Sequence, residues 1–135
     1  MSVLGEWIKK AEEDYRAAVR LLKHRGKPTY NLVCFCCQQC VEKYLKAFCV
    51  SNGIDFEKRH ELIYLLGLLL DVDRSLELLR DELQVLNRYA VDIRYPGDFA
   101  GRDEAARALR SAKAVRKVMR MKLGARVTKR TSKGK

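Results

Sequence analysis

"NLVCFCCQQCVEKYLKAF", residues 31–48, places four cysteines within seven positions. Whether these thiols are ligands, redox groups or small apolar side chains decides the fold. At about 100° per residue, Val33, Cys34, Cys36, Cys37, Cys40, Val41, Tyr44, Leu45, Ala47 and Phe48 share one half of a helical circumference. Gln38, Gln39, Glu42, Lys43 and Lys46 fill the other half. A structural zinc site needs four ligands converging on one point, usually from two chain segments. This chain offers no second Cys or His cluster, and His24 and His60 stand alone. A redox reading of Cys37 and Cys40 lacks the strand, loop and helix that such a motif requires. Free cysteine packs as a small hydrophobe. The thiols therefore read as core, with no metal and no cofactor expected, and Cys49, at the edge of the apolar arc, as the most exposed of the five.

Four further helical segments flank this one. The first runs from about Ser2 to His24, with Ser2 as N-cap and Leu4, Trp7, Ile8, Ala11, Tyr15, Ala18 and Leu22 on one face. "HRGKPT" ends it, and the cysteine helix follows from about Tyr30 to Val50, closed by Asn52-Gly53. A short helix begins near His60 and covers the leucine run to Leu70. A fourth spans about Arg74 to Ile93, with Leu76, Leu79, Leu83 and Leu86 inward, and "RYPGDFAG" breaks it. The fifth runs from about Arg102 to Leu123 on a stripe of Ala105, Leu109, Ala112, Met119 and Leu123. The pattern is all-α: an up-and-down antiparallel four-helix bundle with one additional short helix. Residues 1–123 form the domain, and residues 124–135, basic and without periodicity, read as a disordered tail.

The longest apolar run, "LIYLLGLLL", is far short of the ~20 residues that span a bilayer, so no membrane association is expected. "MSVLGEWIKKAEEDY" turns amphipathic where a signal peptide needs an apolar run. The expected location is cytoplasmic, where thiols stay reduced. The net charge of +11 is lopsided: residues 98–135 carry 13 Lys+Arg against 3 Asp+Glu, whereas residues 1–97 are nearly balanced. Such asymmetry points to a polyanionic partner. On the last helix Arg107, Arg110, Lys113, Lys117 and Arg120 recur every three or four residues as a basic ridge opposite the apolar stripe. With no aromatics between them they lack platforms for stacking bases. Binding through this ridge would be by phosphates, sequence-tolerant and salt-sensitive.

"CCQQCVEKYLKAF" resembles the QQAAEKxLKA helix of the HEPN family, with Cys37 and Cys40 where that pattern has small residues. "KRHELIYLL", residues 58–66, resembles the family's H-D/E-L helix start, and "IRYPGD", residues 93–98, its RYP ending. The three stretches occur in the family's order, over about residues 2–123. The resemblance implies a helical bundle, commonly a homodimer, associated with nucleotides or RNA and often paired with a minimal nucleotidyltransferase in a two-gene toxin-antitoxin-like system. Ribonuclease members carry Arg, four to six residues, then His. Here Arg20 and Arg16 precede His24 with three and seven residues between, Arg59 abuts His60, and no histidine follows Arg94. That motif is absent, which argues against catalysis by that route.

The ligand-binding candidates are Gln39, Lys43 and Lys46 on the polar face of the second helix, His60 at a helix start, and Arg94 and Tyr95 at the RYP turn. Lys46 would hold a phosphate and Gln39 a base or partner; the competing reading is a solvated face with an ordinary Glu42–Lys46 pair. His60 is a base, a hydrogen-bond anchor or a cap; Arg94 is a phosphate fork or a cap for the fourth helix. The expected function is a nucleotide- or RNA-associated binding module. The alternatives are a metal-independent ribonuclease using His60 and Arg94, or a purely structural partner-binding bundle. A homodimer is expected also because the apolar arc of the second helix, roughly 180°, exceeds the ~100° stripe of a one-sided surface helix, and because Phe35 lies outside that arc.

Overall fold

The computed structural model describes residues 2–90, 96–97 and 99–133, with side chains through residue 124. Ser2 takes extended backbone and its Oγ accepts a hydrogen bond from the Gly5 N–H at 2.9 Å. One orphan donor of the first turn is thereby satisfied, and helix α1 (Val3–Lys23) starts where the cap predicts. Leu4, Ala11 and Ala18 along its inner face are buried.

Helix α2 (Tyr30–Ser51) is the centre of the molecule, packed against α1 and against the three helices that follow it. Cys34, Cys37, Cys40, Val41, Tyr44, Leu45 and Ala47 are fully buried, as the thiols-as-core reading requires. The polar half is not solvated, however. Gln38, Glu42 and Lys46 are also buried, because neighbours enclose this helix on nearly every side. The wide apolar arc is thus met within the chain.

The end of α2 is a Schellman turn. Gly53, at φ +67°, sends its N–H to the Val50 carbonyl at 3.1 Å, and the Ile54 N–H reaches the Cys49 carbonyl at 2.9 Å. That turn folds the chain back, with Ile54 and Phe56 packed on the core. Cys49 is consequently enclosed, at 0 % exposure, and Cys36, at 9 %, is the most exposed cysteine. The expectation for Cys49 is corrected by this return of the chain, which periodicity along one helix does not reveal.

Helix α3 (Leu62–Leu70) buries Leu62, Leu65, Leu66 and Leu69, the i, i+3, i+4, i+7 positions of one face. It begins two residues after His60, with the Leu62 N–H capped by the Asn87 Oδ1 at 2.7 Å. The expected single helix from Arg74 is instead a 3₁₀ segment (Arg74–Leu79) followed by α4 (Arg80–Asn87). Side chains three apart eclipse in a 3₁₀ helix, so Leu76 and Leu79 both turn inward there and the register then passes to Leu83 and Leu86. Residues 91–93 of the expected helix lie outside the described residues.

Helix α5 (Arg102–Lys133) lays Ala105, Ala108, Ala112, Val115 and Met119 against the core. Its helical backbone continues ten residues beyond the expected end at Leu123. Gly124 costs only about 1 kcal/mol in a helix interior, and the arginines and lysines beyond it are good helix formers. The all-α expectation holds: five α-helices in the expected order, with no strand among the described residues. No described helix is long and apolar enough to cross a membrane.

Candidate functional site

The basic ridge lies on the solvent side of α5. Arg107, Arg110, Lys113, Lys117 and Arg120 are all exposed, while Ala105, Ala108, Ala112 and Val115 face inward. Arg107, Arg110, Lys113 and Lys117 form no ion pair among the described residues. Arg120 stands 3.3 Å from Glu12 and remains half-exposed. Arg107 and Lys117 are ten residues apart, about 15 Å along the axis at 1.5 Å per residue. A row of cations without ion pairs among the described residues gives this face a positive potential.

The ridge is held by the cations that do have partners. Arg116 donates to both carboxylate oxygens of Glu12 on α1, at 2.7 and 2.8 Å, and its guanidinium stacks 4.2 Å from the Tyr15 ring. The Tyr44 hydroxyl donates to the same carboxylate. The Arg116 hydrogen bonds hold the Glu12 carboxyl at about 2 against burial, which pushes the other way. One acidic residue on α1 therefore ties α5 to α1 in the rotation its buried stripe sets, with the ridge facing solvent. Lys122 makes a second tether, to Asp73 at 2.6 Å.

The polar side of α2 forms a different cluster, centred on Glu42. Lys46 donates to its Oε2 at 2.8 Å, Gln38 Nε2 to its Oε1 at 3.1 Å, and His60 Nδ1 lies 3.2 Å from both oxygens. Gln38 also donates to the His60 carbonyl at 3.1 Å, and Gln39 donates to Gln38 at 2.7 Å. Burial raises the Glu42 carboxyl, but hydrogen bonds from Lys46 and Gln38 outweigh it and leave the group below its ordinary value. Lys46 sits 5.6 Å from the ring centres of both Trp7 and Phe56, which meet edge to face. That aromatic pocket holds the ammonium by its charge as well as its stem.

The sequence candidates are therefore distributed. Gln39 and His60 join the Glu42 cluster, with the His60 side chain 59 % exposed. Lys43 is drawn to Asp14 on α1 at 2.6 Å. Lys46 lies inside rather than on a solvated face. Arg94 and Tyr95 lie outside the described residues. Sequence reading missed Glu42 as the hub and Glu12 as the anchor. Four-residue spacing signals Glu42 with Lys46, but Glu12 with Arg116 spans most of the chain and has no local signature. Among the described residues no group of three or more His, Cys, Asp or Glu side chains is placed to hold a metal ion.

The HEPN domain family model matches residues 4–122, nearly the whole chain. The protein belongs to the HEPN domain family. Two solved structures share this HEPN fold. TT1696 from Thermus thermophilus is 28% identical, with a TM-score of 0.72, over 90% of this chain and 99% of that one. ST0689, an archaeal HEPN homologue, is 22% identical, with a TM-score of 0.63, over 90% and 98%. A comparison with curated proteins found no match.

Proposed function

We propose that this HEPN-domain protein is a nucleic-acid-associated binding module that contacts RNA or nucleotide phosphates through the exposed face of α5. The observation that carries this reading is the ridge: four exposed cations without ion pairs among the described residues and a fifth partly engaged, on a helix tied to α1 by a bidentate salt bridge. A merely solvated helix balances its charges with acidic neighbours at i, i+4; beyond its first turn α5 has none. At the edge of α2, Gln39, Lys43 and His60 add contacts for a bound nucleotide, and Lys46 supports them from within through Glu42. Arg94 and Tyr95, outside the described residues, belong to the same proposal by sequence alone.

The module acts as a cytoplasmic homodimer beside a minimal nucleotidyltransferase, in keeping with the family resemblance. Support for self-association comes from Val72 and Met121, exposed apolar residues adjacent in sequence to the two partners of the Asp73–Lys122 bridge, and from Leu78, 86 % exposed in the same segment. Replacing the five ridge cations by glutamine tests the binding reading, with RNA affinity expected to fall evenly across sequences and the fold to be retained.

One observation favours a second reading, a metal-independent ribonuclease using His60 with Arg94. His60 offers Nδ1 to a buried carboxylate while its ring stays open to solvent, the arrangement that orients an imidazole for proton transfer. A nuclease assay separates the two: cleavage abolished by His60→Ala supports the enzyme, and no cleavage by either form supports the module.

A further inference from the structure

At the corner between α1 and α2, well away from the Glu42 cluster in the chain, a cleft of about 610 Å³ is lined by Lys23, His24, Arg25, Pro28, Tyr30 and Arg102. Its size falls in the ~300–1,000 Å³ range of small-molecule sites, but its rim is cationic. Lys23, Arg25 and Arg102 are exposed and form no ion pair among the described residues. The ordinary explanation, cations complementing the carbonyl end of a helix, accounts for Lys23 at the end of α1. It does not account for Arg102, which is the first residue of α5 and so places a positive charge at the positive end of that helix dipole. Three cations without an ion pair among the described residues, from two separated segments, thus line one hollow.

Pro28 and Tyr30 also line a second hollow of about 480 Å³, shared with Asn31, Leu32, Phe99 and Ala100. The two hollows are therefore contiguous. Phe99 is 75 % exposed there, yet the backbone beside it is fixed, because the Ala100 N–H donates to the Asn31 side chain at 2.7 Å. An exposed aromatic next to a cationic hollow is the pairing that a phosphate joined to a planar base requires.

We infer that this corner is a nucleotide site specific for a terminal phosphomonoester. The phosphate lies among Lys23, Arg25 and Arg102, and the base stacks on Phe99. A monoester carries more charge than the diesters of a strand interior, about −1.5 to −2 at neutral pH, which three cations lining one cleft would favour. The site goes beyond the ridge, which grips internal phosphates without regard to strand ends. His24 also lines the hollow, and its Nε2 lies 2.5 Å from where a Cβ on Gly26 would sit, so a side chain at position 26 would displace the imidazole.

The test uses the full chain with one RNA 12-mer bearing a 5′-phosphate, a 3′-phosphate or hydroxyls at both ends, and with adenosine monophosphate and inorganic phosphate as competitors, read by calorimetry. One phosphorylated form should bind about tenfold more tightly than the hydroxyl-ended strand, the worth of one charge-assisted hydrogen bond. Arg25→Gln/Arg102→Gln should erase that advantage and leave hydroxyl-ended binding unchanged. Phe99→Ala should weaken adenosine monophosphate and leave inorganic phosphate unchanged. Arg102→Gln alone removes a cation from a helix start, so it should fold at least as well as the parent and still lose part of the advantage. Monophosphate that competes as well as the strand identifies a free nucleotide as the ligand; a strand that alone gains identifies an RNA end. Equal binding of all three strands with no monophosphate binding overturns the site, as does an equal loss for every strand in the double variant. The ridge reading fails separately, if hydroxyl-ended RNA does not bind at all.

Discussion

Glu12 and Arg116 lie 104 residues apart in the chain and meet through two hydrogen bonds of 2.7 and 2.8 Å. This bridge joins the first helix to the last, in the rotation at which the apolar stripe of α5 is buried. Because its hydrogen bonds hold the Glu12 carboxyl at about 2, below the ordinary 4.5, its contribution to stability is full above the unfolded value and is lost as pH falls from about 4.5 towards 2. Glu12→Gln should lower stability near neutral pH by on the order of 2 kcal/mol, and should flatten the acid limb of unfolding between those values. Denaturant melts over that pH range check both effects.

Glu42 and Lys46 should respond asymmetrically. Removing Glu42 leaves a buried ammonium without its carboxylate, and Glu42→Ala should cost about 3 kcal/mol or more. Lys46→Met keeps the stem between Trp7 and Phe56 and leaves Glu42 the Gln38 and His60 hydrogen bonds, so its cost should be visibly smaller. Equal losses in parallel denaturation curves would assign the stability to charge alone rather than to the aromatic pocket.

Ser111 is fully buried on α5 and its Oγ has no hydrogen-bond partner among the described residues. A buried hydroxyl left unpaired is costly, and alanine is the better helix former. Ser111→Ala should therefore raise stability by about 1 kcal/mol, measurable as a shift in denaturation midpoint.

The first and last residues of the core were legible because their signals are local. Ser2 as a cap, Asn52-Gly53 as a turn, the leucine spacing of α3 and the small-residue stripe of α5 each need only a few neighbouring positions. The cysteines were legible as core because residues around one helix share a face or do not. What one helix cannot show is how many neighbours surround it. Gln38, Glu42 and Lys46 read as a water-facing side because they are polar, but His60 meets Gln38 and Glu42, and Trp7 and Phe56 flank Lys46, all from elsewhere in the chain. Cys49 is covered for the same reason. The ridge was legible in full, since its charges oppose an apolar stripe on the same helix. The corner cleft was not: "KHRGKP" reads as a helix stop, and only the fold brings Arg102 beside it.

Self-association should depend on the apolar residues around the Asp73–Lys122 bridge. Sedimentation at micromolar concentration should show a dimer for the parent chain and a monomer for Val72→Glu/Met121→Glu. A monomeric parent would remove the homodimer from the proposal.

The ridge itself is tested most directly by the salt dependence of RNA affinity, measured for the parent and for Arg107→Gln/Arg110→Gln/Lys113→Gln/Lys117→Gln. For a single strand the log–log slope is about −0.7 per phosphate neutralised. The parent should show a steep slope, and the fourfold variant should lose about 0.7 of slope for each contact removed, with the affinity loss the same for unrelated sequences and the helical content unchanged. Binding that is insensitive to salt, or a variant that keeps the full slope and affinity, would contradict the account.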